Sequence, residues 1–219
     1  MTDFYVFVTG PLAWIAWGVF ILGSIYRLVS MYALAKAKDG SSIAYMSWYY
    51  GLRSILAWMI PFKSMGWKSD PLMTVTTFIF HLCFLLVAVF LGGHVVMWNT
   101  AFGINLPSLP SQFGDIISFV ALAGCAVFAY RRLALPHVKG VTRCQDWFAL
   151  VLVALPLITG ILAYHQVGPV LFMTTLHVLA GELLIALIPF TRLSHALFVL
   201  FTRAYMGSEF GGVRHANDW

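Results

Sequence analysis

Charge is what this chain has least of: only 10% of its 219 residues are Asp, Glu, Lys or Arg, against about 25% in soluble domains. With 61% hydrophobic residues and a mean hydropathy of +0.86, there is too little polar surface to face water. The bilayer is therefore its expected solvent. Cysteine is also sparse. Cys83, Cys125 and Cys144 are the three present, and no CxxC, CxxCH or zinc spacing joins them, which excludes an iron–sulfur cluster or a covalent c-type haem held by this chain alone. No basic residue precedes Arg27, so the first apolar run lacks the charged head of a signal peptide and reads as an uncleaved span. Nucleotide-binding loops, nucleophile triads and metalloprotease motifs are missing too. The net charge of +5 matters for its distribution rather than its sum, and no nucleic-acid partner is expected.

Crossing the hydrocarbon core takes about 20 mostly apolar residues in a helix. Five segments qualify: Pro11–Ala35, Leu72–Trp98, Phe113–Tyr130, Trp147–Tyr164 and Val170–Leu200. The fold class is thus an all-α membrane protein, a five-helix bundle forming one domain over 1–219. With the N-terminus outside, the basic residues segregate. Arg27, Lys36, Lys38, Arg53, Lys63 and Lys68 fall at or between the inner ends of the first two spans. Arg131, Arg132, Lys139 and Arg143 lie between the third and fourth, and Arg192, Arg203 and Arg214 at the C-terminal end, which accounts for all 13. The loops Asn99–Gln112 and His165–Pro169 carry none. By the positive-inside rule the C-terminus is cytoplasmic and the protein multi-pass in a bacterial inner membrane. The stretch Ile43–Phe62 would place Arg53 near the bilayer centre at a cost of several kcal/mol if it spanned. It is read as a surface-lying or re-entrant segment between helices 1 and 2. Trp48, Trp58, Trp67, Trp98 and Trp147 read mainly as interfacial belt.

Of seven histidines, four fall inside spans: His81 and His94 on the second, His177 and His195 on the fifth. His137, His165 and His215 read as solvated or interfacial. A lone membrane histidine is most simply hydrogen-bonded to a neighbouring helix. Two pairs on two spans point instead to metal ligation, since imidazole binds iron and helix bundles build cofactor sites from facing side chains. The two spans run antiparallel, so His94 meets His177 near the outer end and His81 meets His195 in the inner half. On one continuous helix His177 and His195 lie five turns and about 27 Å apart on a common face. His81 and His94 come out about 20 Å apart with faces roughly 140° away from each other. That phase calls for tilt, wrapping or an irregularity near Gly92-Gly93.

GVFILGSIYR (Gly18–Arg27), FHLCFLLVAVFLGGHV (Phe80–Val95), YRRLALPHV (Tyr130–Val138) with Asp146, and LHVLAGELLIALIPFTRLSH (Leu176–His195) resemble the membrane cytochrome b subunit family of respiratory nitrate reductase. The form of the second helix is closest to the branch found in transmembrane redox complexes of sulfate-reducing bacteria. The likeness runs over nearly the whole chain. It implies two b haems stacked across the membrane on histidines of the second and fifth helices, linking quinol chemistry to a cytoplasmic iron–sulfur subunit. The second-helix histidines are further apart here than in nitrate reductase itself, and the outer loop Asn99–Gln112 has no lysine, so substrate and quinone site do not carry over.

The function expected is that of a di-haem b subunit, an electron relay rather than a catalytic subunit by itself. It would connect a quinone pool, with menaquinone as a candidate ligand, or an outer multihaem cytochrome c to the cytoplasmic partner. The alternatives are a quinol-oxidising hydrogenase-type cytochrome b and, from another class, a haem-free transporter or assembly factor. Glu182, inside the fifth span, is either a proton-relay or quinone-site acid or a neutral side chain bonded to a facing helix. Arg131, Arg132 and Arg192 either pair with propionates of the inner haem or anchor the membrane face. Gly92, Gly93, Gly124 and Gly181 either leave room for a flat macrocycle or let helices approach.

Overall fold

The computed structural model describes residues 2–216. In chain order the helices are α1 (Thr2–Phe7), α2 (Ala13–Ala44), α3 (Trp48–Met59), α4 (Met65–Ser69), α5 (Pro71–Phe90), α6 (Gly92–Phe102), α7 (Ser111–Ala134), α8 (Pro136–Lys139), α9 (Cys144–Tyr164), α10 (Val170–Leu187) and α11 (His195–Met206). Among the described residues there is no strand. Five helical stretches are long and apolar enough to cross a membrane: Thr2–Ala44, Pro71–Phe90, Ser111–Ala134, Cys144–Tyr164 and Val170–Phe190. The chain is a multi-pass membrane protein.

Three of these depart from the hydropathy boundaries. A π-turn over Val8–Leu12 joins α1 to α2, so the first helix overruns the 11–35 window at both ends and kinks only at Asp39 (φ −149°, ψ 42°). The second span is two helices rather than an unbroken 72–98, because Leu91 is extended (φ −65°, ψ 143°) between α5 and α6. The fifth is likewise not a single 170–200 helix. Pro189 lacks a donor and crowds the preceding turn; α10 gives way there to a 3₁₀ turn over Ile188–Phe190, Thr191 is extended (ψ −175°), and His195 begins a new helix. His177 and His195 therefore do not lie on a common helix face, since no continuous helix links them. Segment α3 has 12 residues, about 18 Å, too short to cross.

Local chemistry explains the ends. Asp70 caps α5, its carboxylate accepting from the Met73 N–H at 3.0 Å just before Pro71 at the first helical position. Gly103 closes α6 in the left-handed region (φ 69°), where glycine has no Cβ penalty. The Arg143 N–H donates to the Asp146 carboxylate at 2.8 Å and opens α9.

The chain divides into two compact units. One comprises the residues up to 9 with Val75–Gly181. Here α7 packs on α9, and Gly124 lies so close to the Phe80 ring that a Cβ would sit 3.1 Å from it. The other comprises Gly10–Thr74 and the residues from 182 on. Here α3 turns its small residues inward: Gly51, Ser54 and Ala57 are buried, and Gly51 packs against the Ala204 backbone of α11. Arg203 donates to the Ser54 hydroxyl at 2.7 Å, the Arg53 guanidinium lies 4.6 Å over the Tyr50 ring, and the Tyr205 hydroxyl donates to Asp39.

Candidate functional site

The break at Leu91 shapes the first unit's candidate site. Ending α5 at Phe90 leaves its last four carbonyls without helical donors. Two are recovered from beyond the break: Leu109 N–H donates to the Phe90 carbonyl at 2.9 Å, and His94 Nδ1 lies 2.8 Å from the Val87 carbonyl. The irregularity falls beside Gly92-Gly93, and His94 of α6 lies next to His177 of α10. The imidazoles of His94 and His177 lie 5.8 Å apart between centroids with planes 21° from parallel.

His177 is held from α9. Its Nδ1 is 3.0 Å from the Pro156 carbonyl and 3.4 Å from the Thr159 hydroxyl. Thr159 in turn donates to the Leu155 carbonyl at 2.8 Å. Behind the ring is Gly160, where a Cβ would meet His177 Cε1 at 2.9 Å and Nδ1 at 3.1 Å. Only glycine lets the imidazole approach α9 this closely.

All four span histidines share one setting. His81 Nδ1 is 2.8 Å from the Thr77 carbonyl, and His195 Nδ1 is 2.9 Å from the Arg192 carbonyl. A backbone carbonyl only accepts, so each Nδ1 carries the proton and each Nε2 keeps its lone pair in the neutral ring. That is how metal-ligating imidazoles are oriented. At 5.8 Å between centroids, His94 and His177 each keep an Nε2 lone pair, the donor type that a haem iron takes. Among the described residues no three His, Cys, Asp or Glu side chains converge as a metal-ion cage.

The structure brings together His94 and His177. His81 lies on α5 in the first unit beside Phe80, ring centroids 5.2 Å apart; His195 opens α11 in the second. Arg131 and Arg132 stand in the last turn of α7, where Arg132 donates to the Phe128 carbonyl at 2.9 Å and so serves the helix end. Arg192 is exposed and contributes the carbonyl that orients His195. Glu182 is 9% exposed, and neither of its oxygens meets a hydrogen-bond donor. The facing-helix bond considered for it is not made. Next to Gly92, Gly93 and Gly181 no atom lies within 4 Å of where a Cβ would stand, whereas Gly124 serves helix approach.

Sequence reasoning missed Pro156, Thr159 and Gly160, whose signal is only their closeness to one another in an apolar helix. It also missed Asp115, which lies 2.9 Å from His165 Nε2.

No family model matches the chain. Over 211 residues it is 34% identical to a protein of Nitratidesulfovibrio vulgaris (strain Hildenborough) that bears only the name "Protein", covering 94% of this chain and 93% of the relative. The chain belongs to that protein's family. The match takes in nearly all of both chains rather than one segment.

Proposed function

We propose that the chain is the di-haem b subunit of a respiratory redox complex in the bacterial inner membrane. It relays electrons between a quinone pool, or an outer multihaem cytochrome c, and a cytoplasmic iron–sulfur subunit. The observation that carries this reading is the His94–His177 pair, with near-parallel rings and both Nδ1 atoms engaged by backbone carbonyls. His81 and His195 are assigned to the second haem by the family resemblance and by the same Nδ1 setting. The relative's origin in a sulfate reducer agrees with the branch that the sequence resembles.

Haem supplies a one-electron couple whose potential the axial nitrogens, hydrogen bonds and burial tune. The chain's own part is to hold it. Pro156 and Val87 fix the tautomer and direction of two imidazoles, and Gly160 sets how far His177 retreats into α9. The orientation is N-terminus out, because lysine and arginine then gather on the cytoplasmic face. That basic face suits an acidic iron–sulfur partner, and Arg131, Arg132 and Arg192 are the propionate contacts available there.

Purified protein should show reduced b-type absorption bands and two non-covalent haems per chain. H94A or H177A should remove one haem and leave the other. A folded but colourless preparation refutes the reading, and two haems retained in both variants refute the outer pairing.

A further inference from the structure

Within the first unit, α7 and α9 enclose a furrow that none of the histidines enters. It is a cavity of about 310 Å³ lined only by these two helices, at the small end of ligand-sized sites. The lining residues recur at i, i+3, i+4 and i+7 on both helices, from Leu122 to Ala129 on α7 and from Trp147 to Ala154 on α9. One stripe of each helix therefore faces it. The lining is apolar, and small side chains hollow it out: Cys125, Ala126, Ala129 and Ala154. Cys125 is buried, whereas Val151 on the rim is exposed, so the furrow opens towards hydrocarbon.

Both stripes run on into arginine at one end. Arg143 is exposed at the N-cap of α9, four residues before Trp147. Arg132 follows Ala129 by three residues on α7 and gives one N–H to the Phe128 carbonyl at 2.9 Å. Between Ala129 and Trp147 the chain carries Arg131, Arg132, Lys139 and Arg143 against one carboxylate, Asp146. At the other end the next residues on the stripes, Phe119 and Ile158, are bulky and exposed. Leu122 to Ala129 is about 10 Å of helix, a third of a hydrocarbon core of about 30 Å. The furrow thus belongs to one leaflet, the one beside the arginines, with Trp147 at headgroup depth. Small residues also let helices approach, but a spanning partner would need a seam through both leaflets. A hydrocarbon chain tethered to a negative headgroup matches the length, the apolar lining and the cationic mouth together.

We propose that the α7–α9 furrow binds an anionic glycerophospholipid, one acyl chain lying along Ala126 and Ala154 and the phosphate meeting the Arg143 guanidinium. Paired guanidinium N–H donors suit phosphate oxygens, and the Trp147 indole stands between chain and headgroup. In the orientation proposed above, the leaflet is the cytoplasmic one. Arg143 has no part in the haem reading, so the lipid site stands or falls separately. The lipid bridges α7 and α9 along the turns that lead up to Pro156, whose carbonyl orients His177.

The test titrates the full-length protein, delipidated in a neutral detergent, with dioleoyl phosphatidylglycerol or dioleoyl phosphatidylcholine and reads binding by native mass spectrometry. The anionic lipid should bind about tenfold more tightly than the zwitterionic one. R143Q should weaken phosphatidylglycerol about tenfold, the effect of one lost charge-assisted hydrogen bond, and leave phosphatidylcholine unchanged; R143K should recover part of the loss. A154F fills the furrow and should weaken both lipids. In the wild type, phosphatidylglycerol with a diazirine midway along one chain should label Leu122–Ala129 and Trp147–Ala154, and glycerol 3-phosphate should not compete. If A154F fails to fold, this labelling decides alone. Equal affinity for the two lipids overturns the proposal, as does unchanged binding in R143Q or labelling confined to other helices. Displacement by glycerol 3-phosphate also overturns it, since the site would then take soluble phosphate. A colourless protein that binds the lipid as described sinks the haem reading alone.

Discussion

Replacing Gly160 by alanine tests the site at its tightest contact. The new methyl would sit 2.9 Å from His177 Cε1 and 3.1 Å from Nδ1, against about 3.5–4.0 Å for an ordinary carbon contact. The ring must therefore withdraw by roughly 0.6–1 Å. Its Nδ1 is already 3.0 Å from the Pro156 carbonyl, so that withdrawal takes the hydrogen bond beyond the useful range of about 3.2 Å. Losing it costs about 1 kcal/mol, and alanine in a helix returns about as much over glycine. Global stability should stay within about 1 kcal/mol of the wild type. Affinity for the haem proposed at His94 and His177 should nevertheless fall about 10–100-fold, as expected when a ligand's supporting contact is removed. Haem-to-protein ratio during titration with haem, alongside thermal unfolding in the same detergent, separates the two quantities. Gly18, with no atom within 4 Å of its Cβ position, is the control. Two haems bound at wild-type affinity in G160A would refute the argument, as would equal weakening in G18A.

Two further substitutions probe neighbouring features. In G114A the methyl falls 2.4 Å from Leu91 Cδ2; since that is the tip of a flexible side chain, the same haem should weaken only a few-fold, measured by the same titration. In G207A the methyl would meet the Tyr50 carbonyl at 2.4 Å and Ser54 Cβ at 2.5 Å, with no flexible tip to yield. The cost of about 2–3 kcal/mol should lower the unfolding temperature by roughly 4–10 °C while haem content at low temperature is retained.

The spans were legible because hydrocarbon demands long apolar runs, and composition alone supplies them. Their interruptions were not equally so. Pro189 announces the end of α10 by removing a donor, and a hydropathy window averages straight over it. Leu91 announces nothing: leucine is a good helix former, and its extended backbone is stabilised by what the freed carbonyls find, the Leu109 N–H and the His94 ring. The histidines stood out as polar groups in apolar helices. What aims them did not, because a backbone carbonyl and a glycine look the same in sequence whether or not an imidazole rests on them. The contact of His165 with Asp115, 50 residues away in sequence, is a product of packing α7 on α9.

The Nδ1 bonds also bear on how the chain enters the bilayer. His94 is satisfied by Val87, seven residues earlier in the same hydrophobic segment, so that segment can leave the insertion machinery with its imidazole already matched. His177 depends on Pro156 of the preceding helix. A lone α10 would carry an unmatched ring into hydrocarbon, where each such group costs several kcal/mol. The short connection His165–Pro169 makes α9 and α10 a natural hairpin, and these two helices should be released into the membrane as a pair.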